Sequence, residues 1–175
     1  MVQATAIRSG PDGNSRIAEL SYPDDAGRAD FTRADLIFTG VDHAHVSYEV
    51  RIFLNNPEAS VQTVRTESEG YAGRFHVFGH GGCYGDVGHC DVPAPSTDPT
   101  DMRPPHPLTP LSTYVTITAA LRRMLESAAR PETVTMVPIS LTPRRQDRGP
   151  APHLFTFQSV ELQLYLTPSN EAPLA

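Results

Sequence analysis

The chain reads as a mainly β protein, an antiparallel β-sandwich or jelly-roll-like fold with one short α-helix. Three observations predict this. Seventeen prolines spread along the 175 residues cut the chain into short segments that favour strands and leave little room for long helices. Most of those segments alternate apolar and polar residues with a period of two. Only one stretch, Ala119 to Ala129, carries a helical stripe, from Leu121, Met124, Leu125 and Ala128. Seven or eight short strands with a single helix are the pattern of two packed antiparallel sheets.

Taken in order, residues 1 to 35 are polar and rich in Gly, Pro and Asp, and read as an N-terminal extension. Within it Arg16-Ile17-Ala18-Glu19-Leu20-Ser21-Tyr22 alternates and is a candidate first strand, closed by the turn residues Pro23 to Gly27. Asp35 to Gly40 is a second short apolar run. The clearest strand spans His43 to Leu54. Val46, Tyr48, Val50, Ile52 and Leu54 share its core face, and His43, His45, Ser47, Glu49 and Arg51 take the opposite one. Thr63 to Thr66 is a weaker strand candidate. Gly70-Tyr71-Ala72-Gly73 reads as a turn into the strand Arg74 to Phe78, with Phe75 and Val77 on one side and His76, Phe78 and His80 on the other.

Seven prolines between residues 92 and 110 then make an extended, stiff connector. Tyr114 to Ile117 reads as a strand, and Thr118 as the N-cap of the helix. Thr133 to Ile139 and Val160 to Leu166 are the last strands, separated by a polar loop at Arg144 to Pro152 and the short run Phe155 to Phe157. Residues 167 to 175 form a tail.

The most unusual stretch is Phe78-Gly79-His80-Gly81-Gly82-Cys83-Tyr84-Gly85-Asp86-Val87-Gly88-His89-Cys90. It holds both cysteines, two of seven histidines and five of twelve glycines. Glycine loses more freedom on folding than any other residue, so this density costs stability and asks for a reason. Three readings stay open. The first is a metal site from His80, Cys83, His89 and Cys90, a thiolate and imidazole set suited to copper or zinc, with Asp86 orienting a histidine. The second is a Cys83–Cys90 disulfide, worth roughly 2.5 kcal/mol in the chain-entropy model. The third is a hydrogen-bonded corner with two buried thiols. His43 and His45, one pleat apart, form a weaker chelating pair, and His76 a weaker ligand beside His80. The bland alternative for that pair is two solvated histidines on an exposed strand face. His106, between two prolines, reads as a contact residue, and Met124 and Met136 as core.

Composition narrows the function classes. Net charge is −6, every one of the fourteen basic residues is arginine, and no basic stripe appears, which argues against a nucleic-acid partner. No apolar run approaches the ~20 residues that span a bilayer. The first eight residues lack the basic-then-apolar layout of a secretory signal, so the expectation is a cytoplasmic protein with no membrane partner. No Gly-x-Ser-x-Gly elbow, phosphate-binding loop or dinucleotide fingerprint is present.

The order of pieces is also informative. Tyr48 to Asn55 is followed by Gly70-Tyr71-Ala72-Gly73-Arg74-Phe75 and a strand running on to a histidine. Then come Val115-Thr116-Ile117-Thr118, a short helix, and Val134-Thr135-Met136-Val137-Pro138. This resembles the C-terminal domain of plant polyphenol oxidases and related bacterial tyrosinases, over roughly residues 36 to 166. The plant form carries a Lys-Phe-Asp-Val strand where this chain has Ser47-Tyr48-Glu49-Val50. The Gly79 to Cys90 loop is similar to that of bacterial variants. The resemblance implies a β-sandwich that packs over a type 3 dicopper site and shields it. It also implies a tyrosinase-like dicopper oxygenase as partner, in the same or a separate chain, and a role in copper loading. The six histidines of that site sit on a helical bundle. This chain's one convincing helix has none, so the expectation is an accessory domain without catalysis of its own. Two alternatives are a small mononuclear copper or zinc enzyme built on the loop, and a structural binding module stapled at Cys83 and Cys90.

Overall fold

The computed structural model describes residues 2–20, 31–80, 88, 91–94, 96–102, 106, 108–127, 129–141 and 154–166. Eight strands are formed: β1 (Val2–Ser9), β2 (Arg16–Leu20), β3 (Phe31–Val41), β4 (Tyr48–Leu54), β5 (Tyr71–Val77), β6 (Leu111–Thr116), β7 (Thr133–Ser140) and β8 (Ser159–Leu166), with one helix, α1 (Thr118–Glu126). Every pairing is antiparallel, in the order β5-β4-β7-β2-β1-β8-β3-β6. The protein is thus mainly β and sandwich-like, as the alternation predicts.

Strand β1 joins the two sheets. Its first residues pair with β8 (Val2 opposite Leu162) and its last with β2 (Ser9 opposite Arg16), with a register shift between Ala4 and Ile7. Both β1 and β2 lie within residues 1 to 35: β2 falls in the run Arg16 to Tyr22 expected as a first strand, and β1 precedes it as a strand not expected from the sequence. The two strands hold the sheets together, and Ile17, Ala18 and Leu20 are buried. The far edges also meet. A methyl group on Gly73 of β5 would press on the Val115 side chain of β6, so that glycine allows the two edges to approach.

The core lies between the sheets. Tyr48, Val50, Ile52 and Leu54 fill it from β4, Phe75 and Val77 from β5, and Leu36 and Phe38 from β3. At its centre Phe38 meets Phe75, Phe155 and Phe157 with ring centroids 5.1, 5.9 and 5.8 Å apart. Such aromatic pairs add ~0.5–1.5 kcal/mol each beyond the area they bury. Helix α1 closes one end through Leu121. Thr118 does not cap it. Its hydroxyl accepts from the Ala34 amide instead, and Ile117 occupies the cap position.

One expected strand is not formed, and one expected strand holds a proline. Residues 63–66 bend without forming a strand and lead to a 3-10 turn at Glu67–Glu69, ended by Gly70 in the left-handed region (φ 76°). Pro138 sits inside β7, where a strand proline normally breaks a ladder. It faces Val50 of β4, while pairing with β2 stops at Met136, so the missing N–H removes no ladder bond on that side.

A candidate site at the β4–β5 end of the sandwich

The strand expected from His43 begins only at Tyr48. Residues 42–47 instead bend across the end of the sheet. His43 and His45 therefore do not stand one pleat apart. Asp42 starts the bend, with its carboxylate accepting from the Ala44 amide at 2.9 Å and its carbonyl accepting from the Tyr48 hydroxyl at 2.7 Å. Burial, followed by the nearby Asp42 charge, pushes the Tyr48 hydroxyl far above its ordinary pKa, so it stays protonated as the donor. His45 turns outward, 3.9 Å from the Asp42 carboxylate.

His43 turns the other way and meets His80. The His80 amide donates to the His43 carbonyl at 3.0 Å, and the two rings lie edge-on at 4.9 Å between centroids. His43 Nε2 is 2.9 Å from the Thr109 carbonyl, which ties the end of the proline-rich connector to this corner. Gly79 makes the approach feasible. A Cβ there would overlap the His45 carbonyl and the Val46 backbone, and its amide donates to Ser47 Oγ at 3.1 Å. This one glycine of the loop has an identified packing reason.

Cys83, Asp86, His89 and Cys90 lie outside the described residues. Among the described residues no group of three His, Cys, Asp or Glu side chains converges as a metal site. Of the histidines singled out above, His43 and His80 come together, His45 lies beside the Asp42 carboxylate, and His76 belongs to a different cluster.

That cluster is built on Glu49, on the outer face of β4. Its side chain is only 8% exposed and takes three partners. Arg51 Nε donates to Oε1 at 2.8 Å, Arg74 Nη1 to Oε2 at 3.0 Å, and His76 Nε2 lies 3.1 Å from Oε2. Burial opposes the charge on Glu49 more than any other single influence. The Arg51 hydrogen bond, with the Arg51, Arg74 and His76 charges, together outweigh it, so its pKa is lowered. The signal for this was present in the chain as Glu49-x-Arg51 and Arg74-x-His76, two same-face pairs. Only the register, Glu49 opposite His76 and Arg51 opposite Arg74, joins them.

One row further toward the bend, the Leu141 amide donates to the Ser47 carbonyl at 2.9 Å. Phe78 follows the buried Val77 and is 81% exposed, and Leu141 is 50% exposed. Two large apolar side chains are therefore exposed on the residues that follow the ends of β5 and β7. The alternation predicts the outward direction of Phe78, but Leu141 falls outside every sequence-predicted element.

A second polar cluster occupies the outer face of the other sheet. Buried Asp35 accepts from Arg33 Nε at 2.9 Å and Thr116 Oγ1 at 2.8 Å, and the Arg33 guanidinium lies 5.1 and 5.4 Å from the ring centroids of Tyr114 and Tyr165. A cleft of about 410 Å³ separates α1 from the 3-10 turn, between Arg123 and Glu67, which pair at 3.2 Å. Among the described residues neither gathers three His, Cys, Asp or Glu side chains as a ligand set.

No family model matches the chain, and no curated protein matches it. Among the described residues no helix is long and apolar enough to cross a membrane.

Proposed function

We propose that this domain is a non-catalytic accessory module that seats against a dicopper oxygenase of the tyrosinase-like class and covers its site. The observation that carries the reading is Phe78. A phenylalanine 81% exposed immediately after the end of β5, with the half-exposed Leu141 just after the end of β7, costs hydration free energy in the free protein. Exposed apolar patches of this kind mark interaction surfaces. The polar and cationic cluster of Glu49, Arg51, Arg74 and His76, on the outward faces of β4 and β5, supplies a rim of the kind such interfaces have. The order of strands and helix that resembles the polyphenol oxidase C-terminal domain gives the partner class.

The test is direct. A tyrosinase-type catalytic chain lacking its own C-terminal domain is mixed with this protein, and complex formation is followed with diphenol oxidation. The expected outcome is a 1:1 complex with suppressed oxidation. Phe78→Ser should weaken binding at least tenfold, the loss expected for an aromatic anchor near the centre of an interface, while leaving the melting temperature unchanged. A protein that neither binds nor suppresses oxidation refutes the reading.

A further inference from the structure

We infer that His43 and His80 form a labile two-imidazole site for a divalent late first-row transition-metal ion, with Cu²⁺ bound most tightly. The inference is independent of the accessory reading, because it concerns only what these two rings can hold.

The hydrogen bonds settle which ring nitrogens are free. A carbonyl oxygen only accepts, so the 2.9 Å contact from His43 Nε2 to the Thr109 carbonyl places the proton on Nε2 and leaves the Nδ1 lone pair unused. His80 Nδ1 lies 3.4 Å from the His43 carbonyl, which likewise puts its proton on Nδ1 and leaves Nε2 as the base. A ring whose second nitrogen donates to a backbone carbonyl is the usual state of a metal-binding histidine, because that bond sets the tautomer and the ring orientation in advance. Here both rings have it.

Their separation also suits a shared ion. With metal–nitrogen bonds of ~2.0–2.1 Å, each centroid lies ~3.2 Å from the metal. Turning the two free nitrogens onto one ion with the centroids kept 4.9 Å apart would set the rings ~100° apart at it, a cis arrangement. Two imidazoles held cis leave the other positions to water. That favours divalent ions over two-coordinate Cu⁺, and by the general affinity order Cu²⁺ over Ni²⁺ or Zn²⁺. Two protein ligands make a site that exchanges readily. His80 is exposed and can reach an ion from solvent. The backbone link from His80 to His43, and the close passage of Gly79 under His45, hold the pair without a metal.

The full chain, its accessible thiols alkylated, would be titrated with Cu²⁺ at pH 7.5 and followed by calorimetry and electron paramagnetic resonance. The expected result is one equivalent bound, with hyperfine coupling from two imidazole nitrogens. His43→Gln and His80→Gln should each weaken that site at least tenfold, and His45→Gln and His106→Gln should leave it unchanged. His80 is exposed, so His80→Gln decides the matter even if His43→Gln compromises folding. A wild-type chain without a one-equivalent site, or a His80→Gln variant binding within twofold of wild type, overturns the inference.

Discussion

Replacing Glu49 with glutamine keeps the shape of the side chain and removes its charge, which isolates what that charge does on the outer face of β4. Glu49 is 8% exposed, so it cannot recover its hydration by moving. Its partners are unequal. The Arg51 side chain is 20% exposed, and its bond counts nearly in full, whereas Arg74 and His76 are 46% and 42% exposed and their share is screened. A hydrogen bond to a charged group is worth ~1.5–3 kcal/mol net, and breaking a fully buried pair costs ~3–5 kcal/mol. With two of three partners wet, the expected loss for Glu49→Gln is about 2–3 kcal/mol. For a domain of this size each kcal/mol lowers the melting temperature by ~2–4 °C, so the melt should fall by roughly 5–10 °C. Urea unfolding of wild type, Glu49→Gln, Arg51→Gln and the double variant completes a cycle, in which the Glu49–Arg51 coupling should exceed ~1 kcal/mol. A Glu49→Gln variant within ~0.5 kcal/mol of wild type would refute the reasoning, because the charge would then contribute no more than an exposed residue does.

Two further outcomes follow from the same coordinates. Asp35, like Glu49, has its pKa lowered: burial opposes its charge, but the Arg33 hydrogen bond, the Thr116 hydroxyl and the Arg33 charge outweigh it. Both carboxyls therefore bind a proton more weakly folded than unfolded. Their contribution is complete above the unfolded value near ~4 and is lost as pH falls through the lowered folded values. Unfolding free energy measured from pH 7 to 3 should decline below about pH 4.5, and a rise on acidification would contradict the assignment. Gly79→Ala should cost ~1–3 kcal/mol by overpacking, because the new methyl group meets the His45 carbonyl and the Val46 backbone and strains the Gly79–Ser47 bond. An unchanged urea midpoint would show that the bend at 42–47 yields easily.

The β-sandwich class, the helix and the inner faces of β4 and β5 were legible because burial imposes a period of two on a strand and 3.6 on a helix. Tyr48, Val50, Ile52, Phe75, Val77 and Leu121 are all core, as their spacing requires. Strand β1 was not legible. Val2 to Ala6 alternates only through one valine and two alanines before Ala6-Ile7 breaks the pattern, and the segment becomes a strand because it pairs with β2 along one stretch and β8 along another. The His43–His45 pair was misplaced for a related reason. Alternation continues through residues 43–47, but the chain bends at 42–47, where the Asp42 carboxylate takes the Ala44 amide and its carbonyl takes the Tyr48 hydroxyl.

By itself the sequence determined which residues turn inward, where the single helix lies, and that Phe78 and His76 face away from the core. Those properties depend on neighbours a few positions apart. The tertiary structure alone decided that His43 meets His80 and the Thr109 carbonyl, that Glu49 gathers Arg51, Arg74 and His76, and that the Leu141 amide reaches the Ser47 carbonyl. Each of these except the Glu49–Arg51 pair joins groups 25 or more positions apart in the chain. Strand register and loop closure set such distances, and no local pattern of side chains encodes them.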